Sequence, residues 1–186
     1  MKVSRFALLA LLVPVLAFAG ELNGVKMPDS TKAGDKDVVL NGMGLRKKFI
    51  FKVYVAGLYL ENKASDASTV LKTDQTRRVV MHMLRNLDRK TMAEAIQSGF
   101  EKNNKDQMPK LKDRLDNLLK DLPDELKEGD DVVITYYPAK GTKLEVKGKD
   151  STVVEGKDFA DAMFSVWLGS SPVDESLKNG MLGKAE

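Results

Sequence analysis

The chain has 186 residues, 42% hydrophobic and 31% charged, and thirty Lys and Arg against twenty-seven Asp and Glu give a formal net charge of +3. That size and balance fit one globular domain and supply no bulk-charge argument for nucleic-acid or membrane binding. There is no cysteine, which excludes disulfides, thiolate metal sites and cysteine catalysis.

Residues 1–19 carry the three parts of an export signal in order. Lys2 and Arg5 come first, then the 12-residue apolar run FALLALLVPVLA, then Ala17, Phe18 and Ala19 as a cleavage site. The run is too short to span a bilayer. The expected mature domain is therefore residues 20–186, periplasmic or secreted, with no transmembrane segment, and loss of Lys2 and Arg5 lowers the net charge to +1.

Residues 20–36 are polar and turn-rich, with room for a short strand at 25–27. The stretch DVVLNGMG reads as a strand running into glycines, followed by the cations Arg46, Lys47 and Lys48. Residues 49–61 alternate as one long strand, yet both alternating sets are apolar, which is the signature of a central strand covered on both faces. Gly57 within it suggests a bulge or a close approach. SDASTVLK fits a short helix capped by Ser65 or Asp66, and residues 76–84 fit another strand. DRKTMAEAIQSGFEKNN is a helix with Asp88 as N-cap and a stripe of Met92, Ala95, Ile96, Gly99 and Phe100. A second helix follows over QMPKLKDRLDNLLKDL, stopped by Pro123. Three closely spaced strands are expected at DVVITYYP, KLEVKG and TVVEG. KDFADAMFSVWLG reads as an amphipathic helix ended by Gly169, and a Pro-led short helix closes the chain. The sum is an α+β fold with an antiparallel sheet covered by helices.

Few residues carry chemistry. His82 is the only histidine. A protein zinc site needs three or four ligands, so His82 reads as structural, with haem ligation beside Met81 or Met83 as the alternative. No nucleophile elbow or phosphate-loop spacing is present, and no catalytic or metal-binding residue is assigned. Asp124, Glu125, Asp130 and Asp131 read as solvated turn positions. The cluster at 46–48 has two readings. One is a charged turn that protects a sheet edge. The other is an anion site at the end of an apolar cleft, where an Arg fork meets a carboxylate and Tyr54 assists.

The segments GLRKKFIFKVYVAGLYLE, DRKTMAEAIQSGF, YYPAKGTKLEV and FADAMFSVWLGSSPVDESLKNGMLG resemble the chalcone isomerase-like superfamily, specifically its bacterial exported branch. The resemblance implies an open-faced β-sandwich, a large antiparallel sheet layered with helices. It also implies one of two functions: intramolecular cyclisation of a chalcone, or binding of a fatty acid whose carboxylate is held by an Arg and a Tyr. Some members are reported to carry haem. By this resemblance Arg46 matches the family's active-site Arg and Tyr54 the Tyr of the fatty-acid binders. Three polar positions of the isomerases fall on Leu87, Glu94 and Val166. The expectation is a binding protein without cofactor, holding a fatty acid or similar amphipathic carboxylate. Arg46 and Tyr54 would take the head group, and Val55, Phe100, Phe164 and Trp167 would line the cleft. An isomerase using Arg46 is the alternative. On a straight strand Arg46 and Tyr54 would stand about 26 Å apart. They can meet only if the chain turns between them, for instance at 46–48, where no Gly or Pro marks a turn.

Overall fold

The computed structural model describes residues 18–151 and 153–184. The expected leader, residues 1–19, lies outside them except for the backbone of Phe18 and Ala19. Among the described residues the strands are β1 (Phe18–Leu22), β2 (Val25–Pro28), β3 (Ser30–Ala33), β4 (Lys36–Lys48), β5 (Phe51–Leu60), β6 (Arg77–Met83), β7 (Leu87–Asp88), β8 (Glu125–Leu126), β9 (Asp131–Tyr137), β10 (Gly141–Val146) and β11 (Lys149–Asp150). The helices are α1 (Ala67–Lys72), α2 (Arg89–Asn103), α3 (Met108–Leu119), α4 (Lys157–Leu168) and α5 (Glu175–Met181). Asp66 caps α1 and Asp88 caps α2, each accepting a backbone N–H from the threonine three residues on.

Seven strands form one antiparallel sheet in the order β11-β10-β9-β6-β5-β4-β3. The helices cover one face over the main hydrophobic core. The β1–β2 hairpin covers part of the other, over a smaller cluster that includes Met27, Val38, Leu40, Val55 and Tyr59. β5 lies between these two layers, and every residue from Val53 to Leu60 is buried. Both of its alternating sets are apolar because each faces a core. Gly57 gives room for the Met27 side chain, a close approach rather than a bulge.

The structure departs from expectation in several places. Residues 49–61 are not one strand: Phe49 and Ile50 form a two-residue turn and β5 starts at Phe51. β4 does not stop at its glycines but continues through them to Lys48. α4 is buried almost all round rather than along one stripe, because it is wedged between the sheet and α1, α2 and α5. Of the third expected strand, 152–156, Thr152 lies outside the described residues and Val154 makes only an isolated bridge to Thr142; β11 pairs with β10 instead.

One cation sits inside the core. Arg77 on β6 is fully buried and donates to the carbonyls of Val70 and Leu71 at 3.2 and 3.0 Å and to Asp161 of α4 at 2.7 Å. Its guanidinium lies over the rings of Tyr136 and Phe164. The buried charge is thus paired and bonded, and it ties β6 to α1 and α4.

Candidate functional site

The β4–β5 hairpin supplies the first half of the site. Its tight turn reverses the chain, so Arg46 and Tyr54 become direct cross-strand partners. The turn falls at Phe49 and Ile50, not at 46–48, and Phe49 takes it at φ 56° without help from Gly or Pro. The ladder slips by one residue between Arg46 and Lys47, leaving Val53 as the extra residue on β5. Without that bulge the turn register would set Arg46 opposite Val53. With it, Arg46 faces Tyr54, and Val53 and Tyr54 both contribute to the helix-side core.

The NGMG glycines supply the second half. A Cβ on Gly42 would strike the Gly180 carbonyl, and one on Gly44 would strike the Leu177 carbonyl. Their absence lets α5 lie directly on the β4 backbone. Asp174, the N-cap of α5, thereby reaches the hairpin. Its carboxylate accepts from Arg46 Nη1 and from the Lys47 N–H, both at 3.3 Å, and from the Leu177 N–H at 3.1 Å. Arg46 Nη1 also donates to the Lys47 carbonyl. Among the described residues all hydrogen bonds of the Arg46 side chain run through Nη1, so Nη2 and Nε remain for another acceptor.

Between the ends of β5 and β6 and helices α2 and α4 lies a cavity of about 560 Å³, a volume typical of small-molecule sites. Val53, Met81, Met92, Ile96, Val166 and Trp167 form its apolar walls. Arg46, Lys48, Arg85, Asp88 and Glu125 stand among its lining as well. Asp88 is occupied with capping α2, and the backbone N–H of Thr91, followed by its hydroxyl, holds the carboxyl below the usual range. Tyr54 is buried, and its hydroxyl accepts from Trp167 Nε1 at 3.1 Å. Burial pushes its pKa up to about 12 against the smaller opposing pull of the Trp167 hydrogen bond and the Arg46 charge. Tyr54 is therefore a neutral phenol. Among the described residues its own proton has no acceptor, so it can be donated into the cavity.

Of the residues expected from sequence, Arg46, Tyr54 and Trp167 line this cavity. Val55, Phe100 and Phe164 do not. Val55 points through the opposite face of the sheet into the smaller core, because the Val53 bulge resets which parity faces the helices. Phe100 packs on Phe159 with ring centroids 5.8 Å apart, and Phe164 lies beneath the Arg77 guanidinium. Leu87 and Val166, two of the positions that are polar in the isomerases, are apolar walls; Glu94 lines an adjoining groove that shares Arg46, Lys48, Thr91, Ala95 and Val173 with the cavity. His82 pairs across the ladder with Val55, so it shares the far face, and its Nδ1 lies 2.8 Å from Asp131. Among the described residues no three His, Asp or Glu side chains are grouped so that they could hold a metal ion.

Sequence reasoning missed Asp174, Arg85 and Val173, and placed Leu87 and Val166 at the site only as positions that are polar in the isomerases. An aspartate just before the short C-terminal helix gave a capping signal, but nothing local told which strand it meets. Met92 and Ile96 read correctly as the inward stripe of α2, and only the fold shows that part of this stripe borders open space.

The sequence profile described as chalcone isomerase-like matches residues 19–183. No curated protein sequence matches the chain. Among solved structures the chain is similar to a fatty-acid binding protein of Arabidopsis thaliana, with a TM-score of 0.65 and 18% identity over 86% of this chain and 92% of that one. At that identity the likeness shows the fold.

Proposed function

The chain belongs to the chalcone isomerase-like family, and we propose that it is a non-catalytic binder of a fatty acid or similar amphipathic carboxylate, exported from the cytoplasm. One observation carries this reading. Arg46 and the buried Tyr54 face each other across the ladder at an apolar cavity, and each keeps hydrogen-bond donors unspent. A carboxylate is planar and accepts from both a guanidinium and a phenol. The walls beyond are aliphatic and aromatic, as an acyl chain requires. That the similar Arabidopsis protein is a fatty-acid binding protein agrees with the choice of ligand.

The runner-up reading, intramolecular cyclisation, asks for groups that stabilise developing charge and move a proton. Leu87 and Val166 can do neither. Export rests on the leader sequence. Cleavage after Ala19 would keep the pairs Gly20 with Met27, Glu21 with Lys26 and Leu22 with Val25, so the β1–β2 hairpin survives it. N-terminal sequencing of the mature protein should begin at Gly20; a protein that retains Met1 would refute export.

The ligand reading is tested by calorimetric titration of wild type, Arg46→Ala, Arg46→Lys and Lys47→Ala with palmitate. Removing one partner of a desolvated charge pair costs about 2–5 kcal/mol, so Arg46→Ala should weaken binding roughly 30-fold or more. Arg46→Lys should recover only part, since a point charge lacks the planar fork. Lys47 does not line the cavity, and Lys47→Ala should leave affinity nearly unchanged. Equal affinities for wild type and Arg46→Ala would remove Arg46 from the site.

A further inference from the structure

The β4–β5 turn is chemically odd. Phe49 is 89% and Ile50 88% exposed, and Phe51 beside them is half exposed. Two-residue hairpin loops favour Asn, Asp or Gly where φ is positive. Here a phenylalanine takes that position at φ 56°, which is unfavourable for a bulky side chain. Neither turn geometry nor the core accounts for two large apolar residues at the tip.

Cations ring the tip. Lys47, Lys48, Lys52 and Arg85 are all exposed. The Lys52 ammonium donates to the neutral Asn23 side chain, and Arg85 lies over the Phe51 ring at 4.7 Å. Among the described residues none of these four side-chain cations is paired with a carboxylate, whereas some lysines elsewhere are, Lys32 with Asp37 and Lys157 with Asp161 among them. A net charge near zero hides this local excess. An apolar tip within an unpaired basic collar fits an interface that is anionic at its surface and hydrocarbon beneath.

We propose that the β4–β5 tip docks on an anionic lipid surface, with Phe49 and Ile50 entering the interface and Lys47, Lys48, Lys52 and Arg85 meeting the headgroups. The surface goes beyond the carboxylate reading and stands without it. One consequence does rest on that reading. Lys48, Phe49 and Phe51 also line the cavity, so docking sets its opening against the bilayer and lets an acyl chain pass between lipid and cavity without crossing bulk water.

The test is co-sedimentation of the full mature protein with phosphatidylglycerol vesicles and with phosphatidylcholine vesicles. Wild type should bind the former and lose most of that binding in high salt, with much weaker binding to the latter. Each cation near an anionic surface is worth about fivefold in partitioning, so Lys47→Glu with Lys52→Glu should weaken binding at least about tenfold. Ile50→Asp should also weaken it about tenfold or more. Ile50 does not line the cavity, so its palmitate affinity in vesicle-free solution should stay at the wild-type value. That separates failure of this surface from failure of the carboxylate reading. The thermal midpoint of each variant checks its folding. No binding to phosphatidylglycerol vesicles, equal binding to both lipids, or wild-type binding by Ile50→Asp would overturn the proposal. So would a dimer that Ile50→Asp converts to monomer, since the tip would then be a contact between copies of the chain.

Discussion

Tyr54 shows how one side chain joins stability to the site. Its ring belongs to the core and its hydroxyl accepts the Trp167 N–H inside the molecule. Tyr54→Phe removes that acceptor and leaves a buried indole donor unpaired, which costs about 1–3 kcal/mol. Urea unfolding of the variant should show a loss within that range, and palmitate titration should show weaker binding as well. An unchanged midpoint would mean that water reaches the indole and that the pair is not desolvated. Arg46 is subtler, because Asp174 already neutralises part of its charge. A bound carboxylate would share the guanidinium with Asp174, through Nη2 and Nε rather than by breaking the existing pair. The sequence carried Arg46 and Tyr54 through the family resemblance and could not say whether they met. Residue identity was legible; the one-residue bulge that aligns them depends on a ladder between strands and has no local signature.

At the scale of elements, the glycine contacts between β4 and α5 hold the site together. Gly44 lies against the Leu177 backbone, and a backbone atom cannot rotate away as a side chain can. Gly44→Ala should therefore cost about 3 kcal/mol or more, the upper end of overpacking penalties. It should also loosen Asp174 from Arg46, so ligand affinity and unfolding midpoint should fall together. Stability equal to wild type would show that α5 can shift freely over the sheet. This contact explains why β4 was misread. Glycines usually weaken a strand, but here their missing side chains admit a helix. β6 and β9 were legible as short runs rich in β-branched residues, and the main helices were legible from their apolar stripes. β7, β8 and β11 have two residues each. Pairing makes them strands, and no two-residue window can carry a period.

For the whole molecule, the seven-stranded sheet parts two cores, and its buried tyrosines span both. Tyr54 and Tyr136 belong to the helix-side core and Tyr59 to the smaller one. Burial raises all three to about 12, and for Tyr136 the hydrogen bond it donates to Asp74 adds to the rise. Such a group favours folding while neutral. Its contribution is complete below the unfolded value of about 10 and is lost as pH rises through about 12. Several carboxylates set the acid limit with the opposite sign. The Asp158 carboxyl is lowered chiefly by its hydrogen bond from Arg114, Asp116 by that from Lys112, and Glu61 by those from Thr76. Their contribution is present above the unfolded carboxylate value of about 4 and disappears as pH falls below it. The urea midpoint should thus be flat from about pH 5 to 9 and fall on both sides. On the alkaline side, ultraviolet absorbance should show the three buried phenols ionising together with the loss of circular dichroism, not before it. Titration of more than one of the four phenols near pH 10 in a still-folded protein would show that water reaches these hydroxyls. For Tyr54 that would open the closed end of the cavity and withdraw the neutral donor on which the carboxylate site depends.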